Sequence, residues 1–158
     1  MKKKIFGISL IVLIVDIILK QLIMNGLEYC EEIILVPKFM YITYLKNTGG
    51  AFSILDNNIY FLIIIGMLAL GGLIFYLLKK DNFRKLEVIS YGILFGGILG
   101  NFIDRIIYGG VIDYIGLIFG SYYFPVFNFA DICIVIGIIM LVIDELVGEK
   151  YGIRSSKR

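Results

Sequence analysis

Asp113 and Asp131 stand in the last third of a chain so apolar that each carboxylate there needs a reason. An aspartate at bilayer depth costs roughly 2.5–3.5 kcal/mol on insertion scales, so two of them near one membrane face point to a functional site. They are eighteen residues apart. The first follows one apolar run closely and the second lies about one turn into the next, so a helical pair joined by an outer loop brings both to a similar depth. Two neighbouring carboxylates cannot both ionise easily: one keeps its proton, and the pair titrates with split apparent pKa values. Such a pair can hydrolyse a peptide bond without a metal. The ionised partner takes a proton from water, the water attacks the carbonyl, and the protonated partner donates to the carbonyl oxygen or the leaving nitrogen. The plain alternative is that Asp113 caps a loop and Asp131 begins a helix, where a carboxylate is favoured by the helix dipole.

Seven further polar residues belong to the same question. Asp16 and Lys20 are spaced i,i+4 with the acid nearer the N-terminus, the favourable order for an ion pair on one helix face. They either brace two helices or support the site, with Lys20 near the outer end and able to snorkel toward it. Gly92, Gly96 and Gly100 repeat every four residues and form a smooth ridge for close helix packing. Asp104 continues that ridge, and Asn101 and Arg105 lie on the adjoining stripe. The planar fork of Arg105 suits a carboxylate, a substrate carbonyl or a lipid ester. Asp104 serves catalysis or a contact network between helices. Asn47, which opens the string NTGGAFS, carries an amide that both donates and accepts, as a position gripping a substrate backbone or orienting a catalytic aspartate requires. Asn128, three residues before Asp131, is a candidate partner for that carboxylate.

The elements that must position these residues follow from composition. Of the 158 residues 59% are hydrophobic and 18% charged, and the mean hydropathy of +0.92 is that of an integral membrane protein. Four apolar runs, at about 5–23, 59–78, 86–107 and 129–147, are each long enough for a hydrocarbon core of ~30 Å. The expected fold class is therefore an all-α membrane protein of four transmembrane helices in a single domain over 1–158. A small extracytoplasmic sheet is expected between helices 1 and 2, at about 32–46, where β-branched and aromatic residues surround Pro37-Lys38. A short amphipathic turn is expected over 51–57, and the segment between Ile107 and Asn128 reads as an aromatic-rich outer loop at headgroup level. Eleven of the fifteen Lys and Arg residues flank one set of helix ends: Lys2 to Lys4, Lys79, Lys80, Arg84, Lys85, Lys150, Arg154, Lys157 and Arg158. By the positive-inside rule both termini are cytoplasmic and the aspartates face outward. The first run is a retained helix rather than a cleaved leader, since Asp16 interrupts it and no small-residue cleavage site follows. With no histidine and only Cys30 and Cys133, neither a metal nor another cofactor is expected. The net charge of +2 decides nothing about partners, and no nucleic acid is expected.

The strings around these residues run in order: Asp16 and Lys20, NTGGAFS, GGILGNFIDR, GGVIDYI and FPVFNFAD. Together they closely resemble the bacterial lipoprotein signal peptidase family, signal peptidase II. The resemblance implies a peptidase of the cell membrane with catalytic aspartates at Asp113 and Asp131. It implies supporting or substrate contacts at Asn47, Asp104, Arg105 and Asn128, and a substrate cleaved just before a cysteine that carries a diacylglyceryl group. Membrane lipid is then the other partner, and a monomer the expected state. Two positions depart from the pattern. Tyr114 stands where phenylalanine is common, and Ile132 follows the Ala-Asp pair where a small polar residue is frequent. Three other classes compete. Intramembrane carboxylates also mark transporters, yet four helices with no inverted repeat make a poor pathway. A Ser/Lys peptidase would use Ser53 with Lys46 or Lys20, and Ser53 lacks a helix-spaced lysine. A structural assembly factor would not need buried acids.

Overall fold

The structure, a computed structural model, describes residues 1–50 and 58–150. The turn expected over 51–57, with Ser53 in it, and the cations Arg154, Lys157 and Arg158 lie outside the described residues. Among the described residues are four helices, α1 (Lys2–Gly26), α2 (Ile59–Lys79), α3 (Lys85–Tyr108) and α4 (Phe129–Lys150), with the strand pair β1 (Glu32–Val36) and β2 (Met40–Asn47) between α1 and α2 and the pair β3 (Val111–Phe119) and β4 (Tyr122–Phe127) between α3 and α4.

Helix α3 is the centre of the bundle because its small residues let neighbours approach. A Cβ added at Gly92 would meet Ile8, one at Gly96 would meet Val12, and one at Gly100 would meet the Asp16 carboxylate. Lys20 then reaches Asp104. The glycine ridge therefore matches the stripe Ile8, Val12, Asp16, Lys20 of α1 residue for residue at a constant offset, which fixes two parallel helices in register. On its other side α3 meets α4, with Gly97 against the Ala130 carbonyl and Gly137 against Leu94. Helix α2 touches the bundle through α3 and buries only Leu70 and Leu77. Its remaining apolar surface, with Phe61, Leu68 and Phe75 exposed, is matched to lipid rather than to water. At the far end from Asp113, Arg84 bridges to Asp144 and Lys80 to Glu87.

The all-α, four-span expectation is overturned on two counts. All four strands join one antiparallel sheet in the order β1-β2-β3-β4, so the sheet draws on the segment after α3 as well as on the segment between α1 and α2. The presumed outer loop is a hairpin. Val111, Ile112, Asp113 and Tyr114 are all buried, because β3 is an inner strand with contacts to α1 and α3 as well. Burial on both faces removes the alternation by which a half-buried strand is read. The turn was nevertheless signalled: Phe119 pairs with Tyr122 around Gly120-Ser121, and Gly120 has φ +65°, a conformation glycine adopts without strain. Secondly, among the described residues three helices, α1, α2 and α3, are long and apolar enough to cross a membrane. Helix α4 has Asp131 in its first turn and Asp144 and Glu145 toward its other end, so its charge-poor stretch is too short to count with them.

Candidate active site

Antiparallel pairing sets the first half of the site. Asp113 is opposite Leu45 and Asn47 opposite Val111 across β2 and β3, so Asn47 and Asp113 are diagonal neighbours on one sheet face. Asn47 Nδ2 donates to Asp113 Oδ2 at 2.9 Å, while its Oδ1 accepts the Gly49 N–H at 2.9 Å and closes the turn that follows β2. The other oxygen, Asp113 Oδ1, accepts from Asn128 Nδ2 at 2.7 Å.

The second half is built on the start of α4. Asn128 precedes the helix and Asp131 is its third residue, and they bond reciprocally: the Asp131 N–H donates to Asn128 Oδ1 at 3.0 Å and the Asn128 N–H to Asp131 Oδ2 at 3.1 Å. This is a capping box made with Asn and Asp. It satisfies two helix-end donors and aims the Asp131 carboxylate at the positive end of the helix. Asp131 Oδ1 accepts from Asn101 Nδ2 at 2.7 Å. Asn128, fully buried, thus contacts both carboxylates, through its side chain to Asp113 and its backbone to Asp131.

Buried donors decide which way the amides point. Lys20 Nζ, which can only donate, lies 2.7 Å from Asp16 Oδ2, 2.8 Å from Asp104 Oδ2 and 3.1 Å from Asn101 Oδ1. Asn101 Oδ1 also accepts from Asn128 Nδ2 at 3.2 Å, so the Asn101 NH2 is left facing Asp131. Asp104 Oδ2 also takes the Ile112 N–H at 3.1 Å, anchoring β3 beside Asp113. The expected Asp16–Lys20 pair is present, but Lys20 does not snorkel: it is 1% exposed and held by two carboxylates and an amide. Among the described residues Arg105 donates to the carbonyls of Asn101 (3.1 Å) and Gly49 (3.4 Å) rather than to a carboxylate, and its Nε is buried without a hydrogen bond.

Both aspartates line a cavity of about 980 Å³ that also reaches Asn47, Asn101 and Arg105. Its walls are apolar: Phe102 and Ile98 of α3, Phe124 to Phe127 of β4, and Ile132 and Val135 of α4. Burial pushes the Asp113 carboxyl up to about 7, with the charge of Asp131 adding to the rise and the bonds from Asn47 and Asn128 opposing it. A carboxyl in that range is divided between acid and base near neutrality, as proton transfer requires. Among the described residues no three His, Cys, Asp or Glu side chains converge as metal ligands.

Eight of the nine residues singled out in the sequence therefore form one hydrogen-bonded network, and Arg105 borders it through the Asn101 carbonyl. Tyr114 was not among them. Its hydroxyl accepts the Phe129 N–H at 3.2 Å, and the signal in the sequence was a hydroxyl at an aromatic position next to Asp113.

The sequence profile described as signal peptidase (SPase) II matches residues 8–147. The lipoprotein signal peptidase of Listeria monocytogenes serotype 4a (strain HCC23) is 33% identical over 143 residues, covering 90% of this chain and 93% of its own. That of Staphylococcus carnosus (strain TM300) is 38% identical over 136 residues, 86% of each chain. A solved structure described as a bacterial membrane enzyme is similar with a TM-score of 0.85 at 31% identity, covering 98% of this chain and 93% of the other. With the profile spanning both aspartates and the relatives matching nearly end to end, the chain belongs to the signal peptidase II family.

Proposed function

We propose that the chain is an aspartic endopeptidase of the membrane that removes signal peptides from prolipoproteins, cleaving before the diacylglyceryl-modified cysteine, with Asp113 and Asp131 as its catalytic pair. A buried and a half-buried carboxylate joined by one asparagine, at the wall of an apolar cavity, carry this assignment. Asp131 is the base: it sits at the positive end of α4, accepts two N–H bonds, and has Arg105 and, through Asn101, the Lys20 charge behind it. Asp113 starts with the proton, since its two partners are neutral amides.

Water held between the carboxylates loses a proton to Asp131 and attacks the scissile carbonyl, whose oxygen takes the Asp113 proton. As the tetrahedral intermediate collapses the C–N bond breaks, a proton passes to the cysteine's α-amino nitrogen, and the dyad returns to one proton shared between two carboxylates. The apolar walls suit the acyl chains of the modified cysteine; each buried CH2 contributes about 0.8 kcal/mol, which fixes the depth of the scissile bond. Membrane lipid surrounds the spans, no further cofactor takes part, and one chain supplies every group of the site. Lys2 to Lys4, Lys79, Lys80, Arg84 and Lys85 support a cytoplasmic N-terminus and α2–α3 loop, with the dyad at the outer face.

The test is cleavage of a lipid-modified precursor by wild type, Asp113→Asn, Asp131→Asn and the double variant at matched folded amounts. Each single variant is expected to lose at least about a thousandfold in kcat, and the double little more, since groups acting as one unit are non-additive. Substantial turnover in either single variant would remove that aspartate from the chemistry.

A further inference from the structure

The first three N–H groups of α4 point at three side chains from three different places. The Phe129 N–H donates to the Tyr114 hydroxyl of β3 at 3.2 Å. The Ala130 N–H faces the buried Asp16 carboxylate of α1. The Asp131 N–H donates to Asn128 Oδ1 at 3.0 Å. A helix end is more often capped by its own N-terminal residue alone. Here the first turn of α4 is also pinned against α3, where Gly97 leaves room for the Ala130 carbonyl.

Beside Asn128, which touches both carboxylates, Tyr114 is a second tie between the two halves of the site. It is peptide-bonded to Asp113, it is 4% exposed, and its hydroxyl grips the helix two residues before Asp131. We propose that Tyr114 is a positioning residue that sets the separation of the two carboxylates, by tying the strand that carries Asp113 to the helix end that carries Asp131. This rests on the catalytic assignment of the two aspartates. The mechanism needs a separation that holds one water and one proton, and a shift of an ångström in such an arrangement costs on the order of a hundredfold in rate. Burial pushes the Tyr114 hydroxyl up to about 12, so it stays a neutral acceptor through the working range.

Tyr114→Phe removes only the oxygen. Phe129→Pro removes the same hydrogen bond from the donor side, at the first helical position, where proline is tolerated. Each is to be assayed on a lipid-modified precursor in lipid, with folded fractions matched by thermal melting and with Asp113→Asn and Asp131→Asn alongside. A kcat about tenfold lower at a KM within about twofold is expected for each, as for lost positioning rather than lost binding. The double variant should be no worse than the worse single one. Carboxylates free to part repel less, so the alkaline limb of the kcat profile should move to lower pH in both variants. A kcat within twofold of wild type, or a fall in kcat with the alkaline limb unmoved, overturns the proposal. If instead the two Asn variants keep their turnover, the dyad assignment itself has failed, a result the tyrosine variants do not produce.

Discussion

Replacing Asp113 by Asn should separate stability from activity, in a direction opposite to that of a carboxylate held ionised by a salt bridge. Asp113 is 4% exposed, and its folded carboxyl lies at about 7 against an unperturbed 3.8, with burial the chief cause. A raised folded pKa means that the folded state holds the proton more tightly than the unfolded chain. The resulting stabilisation is fully present below the unfolded value and is lost as pH rises through the folded one. Between pH 5 and pH 8 the wild type should therefore lose roughly 3 kcal/mol that the Asn variant does not, taking about 1.4 kcal/mol for each pH unit crossed below the folded pKa. The fixed cost of the substitution cancels in this comparison. That cost is real, because both oxygens of Asp113 accept from amide NH2 groups, so an Asn there must turn one neighbour. Asn47 is the one that gives, since turning Asn128 would also break its bonds to Asn101 and to the Asp131 N–H. For a chain of 158 residues, 3 kcal/mol corresponds to an apparent Tm difference of about 6–12 °C. Thermal unfolding in one detergent at the two pH values reads it directly, with turnover recorded on the same samples. If the Tm gap between variant and wild type is the same at both pH values, Asp113 does not titrate in this window and the acid role assigned to it fails.

Two further outcomes follow from other parts of the molecule. Asp144 is 7% exposed and bridges Arg84 at the end of the bundle remote from the dyad, so Asp144→Asn should lower stability by about 1–2 kcal/mol, limited by the partial exposure of Arg84. Turnover per folded enzyme should not change; a fall in kcat at full folding would show that the far end acts on the site. Cys30 is exposed in the turn before β1 and Cys133 is buried, so with the proposed outward-facing dyad a membrane-impermeant maleimide added to intact cells should label Cys30. Labelling only after the membrane is opened would reverse the orientation and the outward-facing site with it.

The residue types alone carried the membrane character, the two aspartates and most of their company. Apolar runs and carboxylates within them are costs against the bilayer that no tertiary contact is needed to recognise. The four-residue repeat of glycines on α3 was equally legible, and the helix it receives continues the same repeat into Asp16 and Lys20. Periodicity misled where an element is buried on both faces: β3 has no alternation to read, so a central strand passed for a loop, and a sheet confined to one segment proved to draw on two. Length misled in α4, where Asp131, Asp144 and Glu145 bracket a stretch counted by its apolar residues alone. The tertiary structure decided what depends on direction rather than on residue type. A lysine, three asparagines and four carboxylates can be hydrogen-bonded in many ways, and only the packing of α1, α3 and β3 around the first turn of α4 selects one. That packing turns the Asn101 amide toward Asp131, spreads Asn128 across both carboxylates, and puts the Tyr114 hydroxyl on the helix end between them.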